Sequence, residues 1–140
     1  MKEEIHAAGY ISRLGNKMRR EMDTRSFKGI YSGAEGRTLH YILAHADEDI
    51  IQRDIEEEFC LRPPTASQLL KKMEDHGMIV REPMENDARY KRIRPSEKAL
   101  EYRQDVLDNV ESLEEKLRQG VDDRDLEVWA KVMAKMIENL

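Results

Sequence analysis

Apolar residues recur along most of the chain at spacings of three and four, the period of an α-helix. That pattern predicts six helices. The first covers roughly residues 4 to 27, with Ile11, Leu14, Gly15, Met18 and Met22 as its stripe. A glycine-containing break follows from Lys28 to Gly36. The second helix runs from about Ala34 to His45 and turns Leu39, Ile42 and Leu43 inward. Asp47-Glu48-Asp49 suits the positive end of a third helix, whose core face is Ile51, Ile55 and Phe59. Cys60-Leu61-Arg62 separates it from a fourth. Ser96 caps a fifth, where Val106, Val110, Leu113 and Leu117 form a heptad-like seam that ends at Gly120. Asp122 and Asp125 suit the cap of a sixth, which is expected to bury Leu126, Trp129, Met133, Met136, Ile137 and Leu140.

Residues 62–98 depart from this all-helical pattern. Ala66, Leu69, Leu70 and Met73 form one helical stripe, and the other face carries Thr65, Ser67, Gln68, Lys71 and Lys72. Such hydroxyls, amides and ammonium groups pair with base edges and phosphates. Pro63 and Pro64 fit a first helical turn, whose N–H groups have no intrahelical partner. Gly77 fits a left-handed helix stop. Met78 to Glu82 then reads as a strand. Tyr90 to Arg94 reads as its return, with Tyr90, Arg92 and Arg94 on one side and Lys91 and Ile93 on the other. The residues between them, Pro83 to Arg89, are turn formers and charges. A helix followed at once by a cationic hairpin is the winged form of a helix-turn-helix: the helix enters the major groove, and the wing reaches the flanking backbone or minor groove.

Charge sharpens the picture. The net charge of −5 at first argues against a nucleic-acid partner. Residues 62–98, however, hold 9 basic and 6 acidic side chains, whereas residues 1–61 net −3 and residues 99–140 net −5. The local field governs phosphate binding more than the total does.

Residues 69–81, Leu-Leu-Lys-Lys-Met-Glu-Asp-His-Gly-Met-Ile-Val-Arg, resemble the reading helix and first wing strand of the multiple antibiotic resistance regulator (MarR) family. Asp87-Ala88-Arg89, continued by Tyr90 to Ser96, resembles that family's Asp-x-Arg wing signature. Pro95-Ser96 stands where the family usually has Leu-Thr. The resemblance implies a mainly α, winged helix-turn-helix fold of about six helices with a small β-hairpin wing. It implies a single domain over 1–140, with a DNA-binding lobe at about 34–96 and dimerisation helices at about 4–27 and 97–140. The implied protein is a cytoplasmic, ligand-responsive repressor that binds a pseudo-palindromic operator as a homodimer. The long seams of the terminal helices independently favour a two-fold dimer, with reading helices one DNA turn apart.

The DNA-binding candidates are Arg62, Pro64, Thr65, Ser67, Gln68, Lys71, Lys72, Arg89, Lys91 and Arg92. Arg62, Pro64, Thr65, Ser67, Gln68 and Lys71 are expected to read bases, Lys72 to take phosphate, and Arg89 to enter the minor groove from the wing tip. Lys91 and Arg92 are backbone candidates, either of which could instead pair with Asp87. Asp87 would orient Arg89 or its loop. By resemblance, a small phenolic or anionic effector would bind between the lobe and the dimerisation helices, with Arg13 and Lys17 the nearest cations.

Other chemistries are poorly served. No apolar run approaches the ~20 residues of a membrane span, and the first residues lack a secretion signal's apolar core. One cysteine forms no internal disulfide and fits a reducing compartment. Cys60, between Phe59 and Leu61, is expected to be a small core residue; the alternative is a redox sensor, with Arg62 lowering its pKa. His40 and His45 are five apart, and His6 and His76 are remote, so no metal site or metal cofactor is expected. No nucleophile or phosphate loop appears, and an enzyme is not expected. A winged-helix module that binds a partner protein without DNA remains the other alternative.

Overall fold

A computed structural model describes residues 3–25 and 32–140. Among them are seven α-helical segments and one antiparallel hairpin: α1 (Ala7–Asp23), α2 (Gly33–Ala44), α3 (Gln52–Glu58), α4 (Pro63–Asp75), β1 (Ile79–Pro83), β2 (Lys91–Pro95), α5 (Glu97–Glu101), α6 (Arg103–Arg118) and α7 (Asp123–Glu138). The end expected for the first helix at residue 27, and the start of the expected glycine break, lie outside the described residues. The chain divides into two compact units, one reaching to Val110 and the other Glu111–Leu140.

The first unit holds one core. Leu39, Ile42 and Leu43 of α2, Ile55 of α3, Leu70 and Met73 of α4, and Ile79 and Ile93 of the hairpin are all nearly inaccessible to solvent. The three residues of α2 are those its periodicity selects. Ser32 caps α2 by accepting the Glu35 N–H, and Ser96 caps α5 by accepting the Ala99 N–H at 3.0 Å. Gly77 takes φ +75°, a left-handed conformation that costs glycine little, and so turns the chain from α4 into β1.

Several expectations are corrected. Helix α3 starts at Gln52, after Ile51, and not at Asp47-Glu48-Asp49. The reason is long-range: Ile50 is buried, and its carbonyl accepts the Ile93 N–H of β2 at 2.7 Å, so the backbone there continues the wing. The Asp54 carboxylate accepts the Ile51 N–H at 2.9 Å and supplies the cap instead. Ile50 thus replaces Ile51 in the core. The expected fifth helix is split at Tyr102, whose N–H closes a tight turn onto the Ala99 carbonyl while its side chain packs against the core.

Cys60 is exposed, not a core residue, and has φ +50°. It follows the end of α3, where the Leu61 N–H reaches back to the Glu56 carbonyl at 2.9 Å, the closure of a left-handed helix stop.

In the second unit, Asp122 caps α7 through the Arg124 N–H at 2.8 Å, and no residue of α7 is buried. Trp129 is 49% exposed and Ile137 57%, so the stripe expected to be internal lies open. Helix α1 of the first unit behaves alike: of its expected stripe only Met22 is buried, while Ile11 and Leu14 are exposed.

Candidate nucleic-acid interface

The helix-turn-helix pair is α3 and α4, which pack against each other. Arg62 is the extended residue before α4, and Pro63 and Pro64 occupy its first turn. Ala66, Leu70 and Met73 anchor one face in the core. Pro64, Thr65, Ser67, Gln68, Lys71 and Lys72 are all exposed on the remainder. A hydrogen bond from α3 braces the start of α4: the Gln52 amide donates to the Pro63 carbonyl at 3.3 Å, and also to Glu56 of its own helix at 3.1 Å. No local periodicity marks Gln52, because its partner lies in another helix.

A groove of about 290 Å³ lies beside α4. Arg37 of α2 lines it together with Thr65, Gln68, Leu69 and Lys72. An exposed arginine such as Arg37 carries no sequence signal of its own. Arg37, Arg62, Lys72 and Lys91 form no ion pair with another described residue, so their charge is available to a ligand. Lys71 is held by Asp75 at 3.2 Å, one turn on, in an exposed pair that a phosphate could displace.

The wing is a five-residue ladder in which Ile79 faces Pro95, Arg81 faces Ile93 and Glu82 faces Arg92. At its tip, the Asp87 carboxylate accepts the Arg89 backbone N–H at 3.1 Å and the guanidinium Nη2 at 2.7 Å. These bonds hold the Asp87 carboxyl below its ordinary range and raise the Arg89 guanidinium. Arg89 nevertheless remains 83% exposed, projecting from a fixed loop. At the other end, Glu74 of α4 grips Arg81 of β1 through two bonds of 3.2 Å. The Arg81 bond pulls the Glu74 carboxyl below its usual value.

Arg92 differs from its neighbours. Its Nη1 donates to Asp49 at 2.8 Å and its Nη2 to Glu82 at 3.3 Å, and it does not pair with Asp87. Behind the reading helix, His76 Nδ1 meets the buried Glu35 carboxylate at 2.6 Å and joins the end of α4 to α2.

Arg13 and Lys17 are exposed on α1, where the Arg13 guanidinium lies 4.7 Å over the Tyr10 ring. A cavity of about 20 Å³ lined by Met22, Arg25, Gly33, Val106 and Asn109 includes neither cation. Among the described residues there is no cluster that could hold a metal ion and no helix long and apolar enough to cross a membrane.

Residues 31–89 match the model of the MarR family. The transcription regulator MarR from Oenococcus oeni PSU-1 has the same fold, with a TM-score of 0.85 at 23% identity over 95% of this chain and 99% of that one. The S. aureus MepR–DNA complex gives a TM-score of 0.86 at 22% identity, over 98% of this chain and 100% of that one. The heme sensor protein PefR, in complex with heme and carbon monoxide, gives 0.61 at 21% identity, over 96% and 91%. No curated protein matches the chain.

Proposed function

We propose that this winged-helix protein of the MarR family is a sequence-specific, DNA-binding transcriptional repressor that acts as a homodimer in the cytoplasm. One observation carries the reading. A core-anchored helix presents Thr65, Ser67, Gln68, Lys71 and Lys72 outward on the same lobe as a wing tip that holds Arg89 toward solvent. MepR, whose fold this chain shares, was captured on DNA. In this reading Arg62, Pro64, Thr65, Ser67, Gln68 and Lys71 contact base edges, Lys72, Lys91 and Arg37 contact phosphates, and Arg89 enters the minor groove. Asp87 stays on the protein side, since a carboxylate facing DNA is repelled.

The open stripes on α1 and α7 support the dimer. An exposed tryptophan flanked by valines on a charged protein marks an interface more readily than a solvated face. Binding, with no chemical step, is the whole activity. PefR was captured with a bound small molecule, and an effector for this chain, a small phenolic or other anion met by Arg13 or Lys17, would act by binding one arrangement of the reading helices more tightly.

The test is Arg89→Ala. Because a groove contact of this kind is worth about 1–3 kcal/mol, DNA affinity should fall by about tenfold or more. The dimer should be unchanged. Unaltered DNA binding would remove Arg89 from the interface. Wild-type protein without any salt-dependent DNA affinity would overturn the DNA reading.

A further inference from the structure

We infer that Arg92 is not a DNA contact but a positioning residue, which with Asp49 and Glu82 ties the tip-side half of the wing's ladder to the turn between α2 and α3. The inference rests on the DNA-binding reading and concerns how the wing is aimed.

Among the described wing cations, Arg92 is the one that bonds two carboxylates at once. Asp49 accepts from Nη1 at 2.8 Å and Glu82 from Nη2 at 3.3 Å, leaving the arginine side chain 30% exposed against 83% for Arg89. Arg94 adds a second cation to Glu82 at 3.6 Å. Both ends of the tether are fixed. Glu82 is the residue directly opposite Arg92 in the ladder, so that pair lies within the hairpin. Asp49 lies 43 positions earlier and immediately precedes Ile50, whose carbonyl takes the N–H of Ile93, the residue after Arg92. Side chain and backbone therefore bind the same two segments at adjacent positions. A hairpin held only along its own ladder could swing about its root. This one is held at its middle and tip-side pairs to Asp49 and to Ile50, whose side chain is buried, so the direction in which Arg89 projects is set from outside the wing. A phosphate would have to displace two carboxylates to recruit Arg92, whereas Lys91 beside it is exposed and forms no ion pair with another described residue.

The two roles predict opposite signs. If Arg92 takes a phosphate, Asp49→Asn frees the guanidinium and removes an acid, so DNA binding tightens. If Asp49 and Arg92 form a tether, Asp49→Asn weakens binding even though the protein becomes less acidic. The experiment measures Kd for one operator-containing duplex, its salt slope, and amide hydrogen exchange at Ile93 in the free protein. The proteins compared are wild type, Asp49→Asn, Arg92→Gln and the double variant. The expected result is a loss of about twofold to fivefold in each single variant, the scale of a partly exposed ion pair, with the wild-type salt slope retained. The double variant should lose no more than either single one, because the two side chains act through each other. Ile93 exchange should speed up in all three, a readout independent of DNA. Tighter binding by Asp49→Asn, a slope lowered by about one in Arg92→Gln, or unchanged Ile93 exchange would each overturn the tether. If the wild type bound no DNA at all, the underlying reading would fail, and the exchange result would still decide whether the tether exists.

Discussion

Gly33 sets two familiar rules against each other. It is the first residue of α2, and alanine is the better helix former by up to about 1 kcal/mol, so propensity alone favours Gly33→Ala. The surroundings oppose it. A Cβ built on Gly33 would lie 2.5 Å from the Met22 Cβ and 3.3 Å from the Asp23 carboxylate. The first distance is inside any carbon–carbon contact, and the Met22 Cβ is fixed to the backbone of α1, so the helices must separate. Overpacking of this kind costs about 1–3 kcal/mol. Separation would also stretch the 2.8 Å bond from the Gly33 N–H to Asp23, worth a further ~1 kcal/mol. The propensity gain is smallest in a first turn, so the steric cost prevails and a net loss of about 1–2 kcal/mol is expected. Urea unfolding at one fixed protein concentration reads it, because association would otherwise shift the midpoint. Gly9→Ala is the control: nothing lies within 4 Å of its added Cβ, and it should raise stability by up to about 1 kcal/mol. If Gly33→Ala matched or exceeded wild type, the close crossing of α1 and α2 would be wrong.

Two further predictions concern assembly and acid. Trp129→Asp places a carboxylate in the open stripe of α7. It should raise the dimer dissociation constant at least about tenfold in sedimentation, whereas an unmoved equilibrium would place the dimer elsewhere. Because Arg81 lowers the Glu74 carboxyl in the folded state, that pair stabilises the fold above the ordinary glutamate value of 4.5 and loses its effect as pH falls through the lowered value. The penalty of Arg81→Met in urea midpoint should therefore be present near pH 7 and shrink by about pH 3; a penalty equal at both would contradict the assignment.

The reading helix and its wing were legible because their signals are local. The Ala66, Leu70, Met73 stripe repeats every turn, Gly77 marks a left-handed stop, and turn formers separate two short strands. What escaped is what distant residues impose. Three acids before Ile51 look like a helix start, yet Ile93 claims the Ile50 carbonyl and delays the helix to Gln52. Cys60 looks apolar between Phe59 and Leu61, but the backbone closure from Leu61 to Glu56 turns it outward at φ +50°. Periodicity shows that one face of α1 and of α7 is apolar without showing what covers it. Of the candidate DNA contacts, Arg92 is the one whose partners, 43 and 10 residues away, no local pattern could reveal.

The most direct test of DNA reading is selection of random duplex DNA on the purified wild-type protein, with the enriched sequences rebound at two salt concentrations. Enrichment of an inverted repeat with half-sites about one helical turn apart, bound less tightly at higher salt, is the predicted result. Recovery of no preferred sequence, with binding absent or indifferent to salt, would contradict it.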